Sequence, residues 1–264
     1  MHMTPYLYFS LFAFVFGAVI GSFLNVCICR MPRDESIVSP PSHCPHCSYR
    51  IRWYDNIPLL SYLVLRGKCR GCGAHISLQY PLVELINGLL TLALFYRFGP
   101  SLTFLSLFLF CSGLVTITFI DIEHQIIPDE ISLSGIVIGF AFSFFLPWQG
   151  WLNSLSGILL GGGCLLLVAY GYHWLTGREG MGGGDIKLLA MMGAFLGWKA
   201  VPFIVFSASL VGSVVGVSLI LFQKRDGKLA IPFGPYLAAG AVLYIFYGRQ
   251  IIQWYLNLGS SVRG

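Results

Sequence analysis

Eight apolar runs, near 6–29, 80–98, 102–120, 131–146, 151–173, 186–198, 201–222 and 232–247, constrain this chain more than any other feature. Most approach the ~20 residues that a bilayer core requires. The expectation is therefore an all-α, polytopic membrane protein with about eight transmembrane helices, of which the sixth is short for a full crossing. Composition agrees, because 56% of the 264 residues are hydrophobic and 10% are charged, against about 25% charged in soluble domains. The first run lacks the basic leader of a cleavable signal and reads as a retained helix. No low-complexity tract or internal repeat stands out.

The net charge of +5 points to membrane orientation and not to nucleic acid, so the expected partner surface is the lipid bilayer and no nucleic acid. Basic residues concentrate in short cytoplasmic loops. In the eight-span arrangement Arg30, Arg33, Arg50, Arg52, Arg66, Lys68, Arg70, Arg178, Lys187, Lys224, Arg225 and Lys228 share one side; Arg97, Lys199, Arg249 and Arg263 take the other. Twelve against four puts the polar segment 30–79 in the cytoplasm and both termini outside. Gly17 and Gly21 have the small-xxx-small spacing of close helix packing.

That segment carries two Cys-x-x-Cys pairs, Cys44 with Cys47 and Cys69 with Cys72, separated by 21 residues. The spacing is close to that of zinc ribbons, in which each pair grips one side of a tetrahedral ion. Disulfides are the competing reading, and a reducing compartment disfavours them. His43, His46 and His75 are alternative ligands, although four thiolates already fill the coordination sphere. A closed site of this kind is structural and leaves no position for a reacting water. Cys27, Cys29, Cys111 and Cys164 fall in apolar runs and read as small buried residues.

Acids at membrane depth are costly and raise a functional hypothesis. Asp121 ends the third run and Asp185 precedes the sixth, so two carboxylates 64 positions apart arrive at one boundary. An aspartic protease needs that pair: one carboxylate takes a proton from water while its protonated partner polarises the scissile carbonyl. The alternative for Asp185 is a helix N-cap behind flexible glycines, Gly182, Gly183 and Gly184. With Lys187 nearby, Asp185 is expected to be the ionised base, and Asp121, at a helix C-terminus, the acid. Pro128, Asp129 and Glu130 read as a helix start, Glu123 as solvent-facing, and Glu84 as a partner for a basic loop residue.

In order along the chain, "GSFLNVCICRMP", "CPHC", "DNIPLLSYLVLRGKCRGCG", "YPLVEL", "DIEHQIIPD", "GMGGGDIKLLAMMGAFLG" and "IPFGPYLAAG" resemble the signature stretches of bacterial type IV prepilin peptidases, of the GxGD aspartic protease class. The resemblance implies an inner-membrane enzyme whose catalytic aspartates are Asp121 and Asp185. Its implied activity is removal of a short leader from prepilins or type II secretion pseudopilins on the cytoplasmic side, after a glycine. N-methylation of the new terminus with S-adenosyl-L-methionine is implied as well. The expected organisation is a first transmembrane helix at 1–29, a cytoplasmic loop with the four-cysteine zinc site at 30–79, and a transmembrane peptidase domain at 80–258. Two other classes are an ion-coupled transporter using the same carboxylates and a scaffold with a zinc-bearing docking loop.

Overall fold

The computed structural model describes residues 5–177, 182–223 and 232–261. Arg178, Lys224, Arg225, Lys228 and Arg263 of the orientation argument lie outside them, as do Gly180, Met181 and Ile231 of the motifs. Each of the eight apolar runs contributes a helix: α1 (Pro5–Arg30), α3 (Gln79–Phe98), α4 (Leu102–His124), α5 (Asp129–Ser143), α6 (Trp151–Thr176), α7 (Gly183–Leu196), α8 (Ala200–Gln223) and α9 (Gly234–Ser261). A five-residue helix, α2 (Leu60–Val64), lies in the polar segment. No strand occurs among the described residues, as expected where lipid offers the backbone no hydrogen bonds. Five helices are long and apolar enough to cross a membrane: α1, α3, α4, α6 and α8. The protein is thus a multi-pass membrane protein.

The chain divides into two compact units, Met1–Ile120 and Asp121–Gly264, and the division falls inside α4. In the first unit α1 lies along α3. A Cβ on Gly21 would stand 2.8 Å from the Glu84 Cα, so the small-residue spacing does serve close packing. Asn87 donates to the Gly17 carbonyl at 2.7 Å and accepts from Ser112 at 3.0 Å, tying α1 and α4 to α3 through one buried side chain. Around this seam Leu24, Ile28, Val83, Val115 and Ile120 form an apolar core.

In the second unit α7 is the central element, with every residue from Leu188 to Leu196 buried. Glycines on its neighbours make room for it. A side chain on Gly135 or Gly139 of α5 would strike Met191 or Phe195, and one on Gly157 or Gly161 of α6 would strike the backbone at Gly193 or Leu189. At 14 residues and 1.5 Å per residue, α7 is about 21 Å long, short of a ~30 Å hydrocarbon core. Its C-terminal carbonyls therefore need partners. Ala194 receives two, the Gln149 side-chain amide and the Ser154 hydroxyl, both from buried residues.

Candidate functional site

Asp121 sits in the last turn of α4 and is 5% exposed. Its Oδ2 accepts a hydrogen bond from the backbone N–H of Gly234, the first residue of α9, at 2.9 Å. Asp185 occupies the first turn of α7. Its Oδ1 is buried and receives no hydrogen bond from the described residues. The two carboxylates lie within electrostatic reach of each other, so the second unit does bring the expected acids together.

Several local expectations fail, each for a physical reason. Asp185 is not the N-cap; that position is Gly182, and no side chain caps this helix start. Lys187 does not attend Asp185. Residues two apart on a helix face different ways, and the Lys187 ammonium instead binds both oxygens of Asp129 at 2.7 Å. Gly182 has φ −69°, and neither Gly183 nor Gly184 has a positive φ. What glycine provides is space at 184, where a Cβ would lie 2.9 Å from that of Ile127. Pro128 is the cap preceding α5, and Asp129 is its first helical residue. Glu123 is exposed, as anticipated. Among the described residues Glu84 pairs with no basic side chain; its Oε2 accepts the backbone N–H of Leu59 at 2.8 Å. Leu59 has φ +61°, a rare conformation for a branched side chain, and the Glu84 carboxylate anchors the loop at that point.

Cys44, Cys47, Cys69 and Cys72 converge, with all four sulfurs within 4.8 Å of one another. Cys44 to Cys72 and Cys47 to Cys69 are both 3.9 Å, and all eight cysteines of the chain are free thiols. A tetrahedral ion with sulfurs at about 2.3 Å has edges of about 3.8 Å, so the cluster fits a metal ion and not a pair of disulfides. The two halves repeat one another. Cys44 N–H donates to Tyr49 O and Cys69 N–H to Ala74 O, while Ser48 and Gly73 return N–H groups to Cys44 O and Cys69 O. Ser48 and Gly73 both adopt positive φ, at 57° and 74°. Backbone N–H groups of Cys72 and Gly71 hold the Cys69 thiol down to about 7, which favours a ligating thiolate. His43, His46 and His75 are exposed and outside the cluster. Arg70, inside the second pair, binds Asp55 at 2.7 Å. Of the four cysteines in apolar runs, Cys27 and Cys111 are buried and Cys29 and Cys164 are half-buried.

Gly234 is the site residue that sequence reasoning missed. The "IPFGPYLAAG" stretch was visible, but nothing in it pointed to a carboxylate 113 positions away.

The model of the bacterial peptidase A24 N-terminal domain matches residues 15–98, and that of the type IV leader peptidase family matches residues 108–217. A protein of Aeromonas hydrophila named prepilin leader peptidase/N-methyltransferase is 41% identical, over 97% of this chain and 96% of its own. Proteins of the same name from Stutzerimonas stutzeri and Pseudomonas aeruginosa are 40% and 36% identical, over 94% and 96% of this chain and 94% and 95% of their own. No solved structure matches. With relatives this similar along nearly their whole length, the chain belongs to the type IV leader peptidase family.

Proposed function

We propose that the protein is a membrane-embedded aspartic endopeptidase that cleaves the leader from type IV prepilins or type II secretion pseudopilins after a glycine, and then N-methylates the new terminus. The observation that carries this reading is that Asp121 and Asp185, drawn from distant parts of the sequence, lie within electrostatic reach of each other, with one carboxylate held by a backbone donor and Oδ1 of the other receiving no hydrogen bond from the described residues. Two close carboxylates share one proton, because ionising both is costly. The ionised member takes a proton from water as the water attacks the scissile carbonyl. The protonated member donates to the carbonyl oxygen, and the proton then passes to the leaving amine. No covalent intermediate is required.

The basic residues of the polar segment favour an active site at the cytoplasmic face of the inner membrane. Cys44, Cys47, Cys69 and Cys72 hold a structural zinc, which supplies cross-linking and not chemistry. S-adenosyl-L-methionine would supply the methyl group. The described residues contain no strand-turn-helix nucleotide fingerprint for it, and no step of the cleavage runs through it. No observation favours ion transport.

The test incubates the purified protein in detergent or lipid with a prepilin, with and without S-adenosylmethionine, and follows substrate mass. A leader-sized loss is expected, followed by a methyl-sized gain only when the donor is present. Asp121→Asn and Asp185→Asn should each lower the cleavage rate by about 10²–10⁴-fold or more. Absence of cleavage by the wild type, or undiminished cleavage with both aspartates replaced, overturns the reading.

A further inference from the structure

The opening of α9 has an unusual distribution of donors. Pro235 has no N–H, and the N–H groups of Tyr236 and Leu237 both return to the Phe233 carbonyl, at 3.1 and 3.2 Å. The Gly234 N–H instead leaves its own turn and donates to Asp121 Oδ2 at 2.9 Å. A Cβ on Gly234 would lie 2.7 Å from that oxygen and 3.3 Å from the Asp121 Cγ. Any side chain at 234 would therefore push the carboxylate off the donor it is bound to. The donor also stands at a helix N-terminus, where the backbone dipole favours an anion.

We infer that Gly234 is a positioning residue of the peptidase site: its N–H holds the Asp121 carboxylate in place and favours its ionised form, and its lack of a Cβ is what permits the contact. The inference rests on the reading of Asp121 as catalytic. It also reverses the roles expected from the sequence. Asp121 ends α4, but a directed N–H at close range outweighs the diffuse field of its own helix end. Asp185 has lost the expected help of Lys187 and takes the shared proton. Asp121 is then the group that activates water, and Asp185 the one that polarises the carbonyl.

Among the described residues the charged groups around Asp121 are few. Asp185 faces it from α7, with Lys187 of that helix occupied by Asp129 of α5. Glu130 of α5 is exposed. On α4 itself, Glu123 and His124 are exposed and lie 4.0 Å apart. The first two turns of α9 carry no charged side chain.

The experiment measures prepilin cleavage against pH for the full-length wild type, Gly234→Ala, Gly240→Ala and Asp121→Asn in the same detergent. Gly234→Ala should lower kcat by roughly tenfold or more, leave KM for the prepilin near its wild-type value, and move the acidic limb of the profile upward by about one pH unit, the loss of one charge-assisted hydrogen bond. Gly240→Ala is the packing control, because its Cβ would meet the Ser207 hydroxyl at 2.6 Å; it should lower thermal stability and leave the limb where it was. A Gly234→Ala limb that superimposes on the wild type, or an equal shift in Gly240→Ala, overturns the inference while the Asp121 reading stands. Wild-type activity in Asp121→Asn overturns both. Should Gly234→Ala fail to fold, glycine-selective ¹⁵N labelling of the unmodified protein decides instead. The Gly234 amide resonance should follow the acidic limb in the wild type and not in Asp121→Asn, and a resonance insensitive to pH overturns the proposal.

Discussion

Lys187 and Asp129 join α7, two residues beyond Asp185, to the first turn of α5. Their side chains are 39% and 52% exposed, so solvent screens the pair and its share of global stability is about 0–1 kcal/mol. Its consequence is local, since it fixes the helix turn on which Asp185 stands, and small displacements of a reacting group are expensive in rate. Asp129→Asn or Lys187→Met should therefore lower kcat by roughly tenfold while thermal unfolding moves by no more than about 2 °C. Exchanging the two charges, Asp129→Lys with Lys187→Asp, should recover part of the loss; undiminished kcat in both single variants removes the pair from the site. Asp121 and Asp185 stood out in the sequence because each sits at the edge of an apolar run, where a carboxylate is costly and demands a reason. The partner of Lys187 did not, because nearness in sequence suggested Asp185 while helical geometry turns i and i+2 apart. Gly234 was less legible still: its contribution is a missing Cβ and the aim of a backbone N–H, and neither leaves a trace in residue type.

At the scale of elements, α7 is held by contact of backbone with backbone. Gly157 and Gly193 each turn the face that lacks a Cβ toward the other's carbonyl, and Gly161 does the same toward that of Leu189. Small residues at such crossings bring helices close enough for dispersion to hold them in lipid, where no hydrophobic effect does so. Gly157→Ala should destabilise the protein by about 1–3 kcal/mol, the usual cost of overpacking, seen as earlier thermal unfolding in detergent. Gly163→Ala on the same helix, with nothing within 4 Å, should be neutral or gain up to about 1 kcal/mol from helix propensity. Equal effects of the two would mean that α6 does not grip α7 at this crossing. The apolar runs announced all eight long helices, and the short sixth run already hinted at the 14-residue α7. Composition gave no sign that α7 would be the buried centre of its unit, nor that Gln149 and Ser154 would cap it at Ala194. Those outcomes depend on which helix faces meet, and a stretch that is apolar on every side does not specify a face.

For the molecule as a whole, the two units carry different chemistry: the cysteine cluster belongs to Met1–Ile120 and the carboxylate pair to Asp121–Gly264. The polar segment 31–78 has almost no apolar interior, since Cys44 and Gly67 are its only buried residues. Segments of this size do not fold on hydrophobic burial alone and need a cross-link or a metal. The four thiols are the group able to provide one, and the Glu84 bond to Leu59 tethers the segment to α3 without closing it. Stripping the metal with a strong chelator, or replacing Cys44 and Cys69 with serine, should open protease cleavage sites between residues 43 and 76 while the helical circular dichroism signal, which comes from the long apolar helices, changes little. Metal content should follow pH with a definite sign. The ligands bind as thiolates, so protons compete with the ion, and bound metal is lost as pH falls below neutrality and retained as it rises. A segment that stays protease-resistant after complete metal removal would show that some other interaction folds it, and that the cysteine cluster is not what holds this part of the chain.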